Sequence, residues 1–167
     1  MLVNKSSIIL IGMMGSGKTT VGKILAYEIN FKFIDSDDLI EKQEDKSITD
    51  IFLSKGEDYF RELEKNLISK FNHKHFVLAT GGGLPVFNDN FDKLINIGTI
   101  VYLKTSFKEL TNTRISNNST RPIYTDKKAF ENILKQREYV YKKAHFIIST
   151  DLKSPNEIVN EIKSIIQ

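Results

Sequence analysis

Five short apolar runs, several rich in β-branched residues, are spaced along the chain: Ser7–Gly12 (SIILIG), Lys32–Asp35 (KFID), Phe76–Thr80 (FVLAT), Thr99–Lys104 (TIVYLK) and Phe146–Thr150 (FIIST). Each reads as a strand. Between them apolar residues return at helical spacing. Val21, Ile24, Leu25 and Ile29 do so after the first run, and further helical patterns cover Glu57–Phe71, Phe107–Ile115, Lys127–Ala144 and Pro155–Ile166. Strand and helix in alternation predict an α/β fold, a five-stranded parallel sheet with helices on both faces. Ligands of such sheets sit at the C-terminal ends of the strands. With no repeat and no long linker, residues 1–167 read as one domain. The polar, breaker-rich stretch Ser116–Lys128 (SNNSTRPIYTDKK) is either an ordinary loop or a mobile lid.

The junction of the first strand and first helix carries chemistry. Gly12–Thr20 (GMMGSGKTT) fits G-x-x-x-x-G-K-[ST], with Gly12, Gly17, Lys18 and Thr19 at the fixed positions. A strand before it and a helix after it are the context a phosphate-binding loop needs. Its glycines let backbone N–H groups face phosphate oxygens, and the helix N-terminus adds positive partial charge. Lys18 then reaches the β- and γ-phosphates and the Thr19 hydroxyl binds one Mg²⁺. The nucleotide-binding positions of this loop are Gly15, Ser16, Gly17, Lys18, Thr19 and Thr20.

Composition narrows the alternatives. The absence of cysteine removes disulfides, thiolate zinc sites and cysteine nucleophiles, and the three histidines lack ligand spacing. A net charge of +3 without a basic stripe argues against a nucleic-acid partner. No apolar run approaches membrane-spanning length, and the first residues are too polar for a signal peptide, so a cytoplasmic protein with no membrane partner is expected.

The loop does not say where a phosphoryl group goes. Asp35 and Asp37 (FIDSDDLIE) end the second strand and point to the same face if that strand continues. One can organise Mg²⁺ and the other can take the proton of an acceptor hydroxyl. The plainer reading is turn chemistry or a helix cap, the role that suits Asp38. Arg61 and Glu64, three apart on a helix, form either a surface ion pair or a buried fork suited to a carboxylate. Phe52 and Phe60 either wall a small ligand or belong to the core. Gly81, Gly82 and Gly83 (TGGGLP) place three flexible residues in one turn, at an entropic cost that implies close approach to the backbone and N–H groups available to an oxygen-rich ligand.

These stretches, with TRPI and KQREYVYKKA, follow one another as in the shikimate kinases, which the chain resembles over essentially its whole length. The resemblance implies a P-loop fold of the nucleoside-monophosphate-kinase type with a lid at about 116–128 and an acceptor subregion at about 33–63. It implies a monomer that moves the γ-phosphoryl of ATP to the 3-hydroxyl of shikimate in aromatic amino acid biosynthesis. Asp37 matches the shikimate-contacting aspartate, and Asp35 the magnesium-associated one. Arg61 and Arg137 match the arginines for the shikimate carboxylate, and Gly81–Gly83 match the glycine triplet. Arg121 matches the lid arginine at the transferring phosphate, and Arg114 an adenine-stacking position. Lys153 lies in DLKSP, which is similar to the adenine-binding loop. Catalysis is thereby assigned to Lys18, Asp37 and Arg121. The chain departs from common forms of the family in Lys-Thr-Thr after the loop glycine and in Tyr124 after Arg-Pro-Ile. Rival readings are a gluconate or nucleoside-monophosphate kinase and a nucleotide-binding module without turnover.

Overall fold

The computed structural model describes residues 7–111 and 127–166. Five parallel strands form one sheet in the order β2-β3-β1-β4-β5, where β1 is Ile8–Ile11, β2 Lys32–Asp35, β3 Phe76–Ala79, β4 Thr99–Lys104 and β5 Phe146–Ser149. The strand expectations hold, with ends differing by a residue. Helices α1 (Lys18–Glu28), α2 (Ser36–Glu44), α3 (Ile48–Ser69), α4 (Asn90–Ile97), α5 (Phe107–Glu109), α6 (Lys127–Tyr141) and α7 (Pro155–Ile166) connect or follow them.

Strands β1 and β3 are apolar at every position because both faces of the sheet are covered. Alternate side chains go to opposite layers. Ile8 and Leu10 pack with Val21, Leu25, Val159 and Ile162 of α1 and α7. Ile9 and Ile11 pack with Ile68, Phe91, Leu94 and Tyr141 of α3, α4 and α6. Strand order reverses at β1, so the loop leaving β1 opens into the crevice at the switch point. Leu10 and Asp35 both stand opposite Ala79, which brings the ends of β1, β2 and β3 to one level.

Helix starts and stops were less legible. Helix α3 is broken at Gly56 (φ 81°), and the expected Glu57–Phe71 helix is its second part. Helix α4 was not anticipated; it starts at Asp89 (φ 54°) without a side-chain cap. The expected Lys127–Ala144 helix ends at Tyr141 and closes with a tight turn in which Ala144 N–H donates to Tyr141 O. The last four residues of the expected Phe107–Ile115 helix and most of the expected lid, with Arg114, Arg121 and Tyr124, lie outside the described residues. Lys127 and Lys128, the last lid positions, open α6. Among the described residues no helix is long and apolar enough to cross a membrane.

Candidate active site

The phosphate loop turns sharply after β1, with Ser16 N–H donating to Met13 O at 3.1 Å. Gly15 and Gly17 hold φ of 81° and 88°, which a side chain would oppose. Gly17 caps α1 with no side-chain bond to the first turn, so that turn suits an anion. Lys18 is buried and folds back across the loop, its Nζ donating to Gly12 O and Met13 O at 2.8 Å each, with Ser16 Oγ at 3.4 Å. Thr19 and Thr20 are exposed at the start of the helix.

Thr19 Oγ1 donates to Asp35 Oδ2 at 2.9 Å. The hydroxyl proton goes to the carboxylate, which leaves the oxygen lone pairs for a cation. Both donors are hard oxygens and no larger acid cluster occurs among the described residues. That suits Mg²⁺, which keeps water and phosphate ligands around one or two protein groups. Asp35 has a second task. It is the N-cap of α2, accepting from Asp37 N–H at 3.0 Å. The expectation that Asp38 is the cap is therefore corrected: Ser36 already starts the helix, and Asp38 is an exposed first-turn residue. Asp37 is likewise in the first turn of α2 and not on an extended strand; the turn, through the Asp35 cap, is what brings it to the crevice.

Arg61 resolves as a buried group. Its Nη1 donates to Glu64 Oε2 at 2.7 Å, and its Nε and Nη2 donate to Glu57 Oε1 at 3.0 and 2.7 Å. Its guanidinium lies 4.2 Å from the centre of the Phe87 ring. Three of the five N–H groups are thus engaged, leaving one on each terminal nitrogen for a further oxygen pair. Glu64 is fully buried, which sets the pair apart from a surface ion pair. Phe60 is core: it packs on Phe52 at 4.8 Å and joins Ile40, Ile51 and Leu63.

The glycine triplet is where these groups converge. A methyl at Gly81 would stand 2.5 Å from Asp37 Oδ1 and one at Gly82 3.1 Å from Arg137 Nη1, while one at Gly83 would collide with the Arg61 guanidinium. None of the three has a positive φ, so close approach, not backbone conformation, requires glycine here. One expectation is corrected. Gly81 N–H is not available to a ligand, because it donates to Ser36 Oγ at 2.8 Å, and Ser36 Oγ in turn faces Asp37 Oδ1 at 3.4 Å. The triplet carbonyls are also engaged, Gly81 by Leu84 N–H, Gly82 by the Tyr141 hydroxyl and Gly83 by Val86 N–H. Among the described residues the N–H groups of Gly82 and Gly83 remain to meet a ligand. Ser36, Glu57, Phe87 and Tyr141 were missed by sequence reasoning. Only Tyr141 had a signal: it is one helical turn after Arg137, on the same face.

On the far side of the loop, Lys153 follows β5, and its ammonium is held by Glu161 of α7 at 2.6 Å. Ser106 N–H donates to Asp151 Oδ1 at 2.9 Å and ties this segment to the exit of β4. Leu152 is 95% exposed at φ 60°, a conformation that costs a leucine energy and turns an apolar side chain outward.

Glu64 carries an electrostatic consequence. Burial pushes its carboxyl up to about 7; Arg61 opposes the shift, Asp37 adds to it and Arg137 opposes it. Glu64 Oε1 is buried with no hydrogen-bond partner. A raised folded-state value means that the folded protein holds the proton more tightly than the unfolded chain. The resulting stabilisation is complete below about 4.5 and is lost as pH rises to about 7. The melting temperature of the wild type minus that of Glu64→Gln should therefore fall across this window and level off above it. A difference that is flat with pH would mean that Glu64 is ionised throughout.

Comparison with known proteins agrees with this geometry. The family model described as shikimate kinase matches residues 14–167. The shikimate kinase of Persephonella marina is 44% identical over 158 residues, covering 93% of this chain and 96% of that one. That of Clostridium botulinum is 46% identical over 146 residues, 85% of this chain and 86% of its own. The solved shikimate kinase of Acinetobacter baumannii in complex with shikimate superposes with a TM-score of 0.90 at 34% identity, covering 99% of this chain and 94% of that one. Likeness of this extent, together with two buried arginines and an aspartate gathered on a glycine turn beside a phosphate loop, leaves one assignment: the chain belongs to the shikimate kinase family.

Proposed function

We propose that this chain transfers the γ-phosphoryl of ATP to the 3-hydroxyl of shikimate, as a monomer in the cytoplasm. The observation that carries the reading is the convergence of Asp37, Arg61 and Arg137 on Gly81–Gly83 next to the phosphate loop. Arg61, with an N–H left on each terminal nitrogen, takes the shikimate carboxylate together with Arg137. Gly82 and Gly83 N–H groups and Asp37 meet hydroxyls. Asp37 takes the proton of the 3-hydroxyl as its oxygen bonds to the γ-phosphorus. The bond from that phosphorus to the β–γ bridging oxygen breaks, and ADP leaves. Lys18 neutralises charge on the β- and γ-phosphates, and Thr19 and Asp35 hold one Mg²⁺. Bound there, that ion supplies further neutralisation of the phosphate oxygens. Most of the rate then comes from positioning and electrostatics. Gly15, Ser16, Gly17 and Thr20 complete the phosphate cradle, and Lys153 belongs to the adenine side. Arg114 and Arg121 enter the proposal through the family resemblance alone.

The test is purified protein with MgATP and shikimate, measuring ADP and phosphorylated shikimate together, with gluconate and nucleoside monophosphates as competing acceptors. One phosphorylated shikimate per ADP is expected. ADP release that follows gluconate or a nucleotide instead would overturn the reading.

A further inference from the structure

Tyr141 is a fully buried phenol that the mechanism above does not use. Its ring packs on Tyr102 of β4 at 5.1 Å between centroids. Its hydroxyl makes a short hydrogen bond to Gly82 O, across 59 residues of sequence. Arg137 lies one turn earlier on α6, and its Nη1 donates to Met13 Sδ of the phosphate loop at 3.9 Å. Burial pushes the phenol up to about 12, against the opposing pull of Arg137, so it remains a donor at any physiological pH. Gly82 itself is a crossing point: a methyl there would stand 3.1 Å from Arg137 Nη1 and 3.4 Å from the Met14 N of the phosphate loop.

A peptide unit is planar, so the Gly82 carbonyl and the Gly83 N–H point in opposite directions. Fixing one fixes the other. We propose that Tyr141 is a positioning residue for the acceptor, its hydroxyl holding the Gly82 carbonyl and thereby aiming the Gly83 N–H at the acceptor. Among the described residues the Tyr141 hydroxyl bonds to Gly82 O and to no atom of the phosphate loop. This inference rests on the reading of shikimate as the acceptor.

The experiment is steady-state kinetics of Tyr141→Phe with both substrates varied, beside wild type and Tyr102→Phe. Phenylalanine keeps the ring and its packing and removes only the hydroxyl. Loss of one buried hydrogen bond that orients a ligand contact should raise KM for shikimate about 3- to 10-fold. The KM for ATP should stay within about twofold and kcat should change little, the signature of lost uniform binding. Tyr102→Phe should leave both KM values unchanged. An unchanged shikimate KM in Tyr141→Phe overturns the inference, as do equal rises in both KM values, or a Tyr102→Phe effect of the same size. A wild type that turns over no shikimate overturns the acceptor reading and this inference with it; a wild type that does, with Tyr141→Phe unaltered, overturns this inference alone.

Discussion

Lys18→Ala is expected to remove nearly all turnover while the protein stays folded. The lysine is the one cation of the phosphate loop, and it is already bent across that loop, with Nζ 2.8 Å from Gly12 O and Met13 O. Its reach toward the β- and γ-phosphates is therefore set before ATP arrives, which is the condition for an electrostatic contribution that costs no reorganisation during transfer. Losing one such donor typically lowers kcat on the order of 10²- to 10³-fold. Some stability will go too, because two loop carbonyls lose their partner. Lys18→Met, which keeps the apolar stem, separates this cost from the chemistry: circular dichroism should be native in both variants and kcat equally low. Retention of more than a tenth of wild-type kcat by a folded variant would contradict the role assigned to Lys18.

The phosphate loop was legible because its chemistry is local. Gly15, Gly17, Lys18 and Thr19 act through a single turn, so their spacing along the chain is their spacing in space. The strands were legible for a similar reason: β1, β3 and β4 are buried on both faces and leave unbroken apolar runs. The rest of the site was legible only in part. Asp35 and Asp37 were found, but as neighbours on a strand. Their joint geometry comes from a helix that begins between them, at Ser36, under the Asp35 cap. The glycine triplet was found, but with all three N–H groups expected to face a ligand. The bond from Gly81 to Ser36 spans 45 residues and leaves no periodic trace. Glu57 and Phe87 escaped notice because nothing about a glutamate or a phenylalanine in sequence tells that it will flank Arg61. Helix α4 escaped because it starts at a positive-φ aspartate that makes no capping bond, so the usual start signal is missing.

Arg61→Lys should keep the positive charge and still lose acceptor function. The guanidinium does three things at once that an ammonium cannot. It bridges Glu57 and Glu64, lies 4.2 Å over Phe87, and keeps one N–H on each terminal nitrogen for an incoming carboxylate. A lysine offers a single point of charge on a flexible stem. The buried carboxyl of Glu64 would compete for it, because among the described residues Arg61 is that group's one hydrogen-bond donor. Hydrogen bonds to charged groups are worth roughly 1.5–3 kcal/mol, and each 1.4 kcal/mol is about tenfold. The expected loss in kcat/KM for shikimate is on the order of 10- to 100-fold. Affinity for ATP, measured by titration without shikimate, should be nearly unchanged, since no contact of Arg61 reaches the phosphate loop. Stability should fall modestly and more at high pH than at low, because Glu64, once ionised, is left with a poorer partner. If the variant weakens ATP binding and spares shikimate kinetics, the acceptor pocket is on the wrong side of the glycine triplet. If it alters neither, Arg61 serves only to hold Glu57 and Glu64, and the shikimate carboxylate is taken by Arg137.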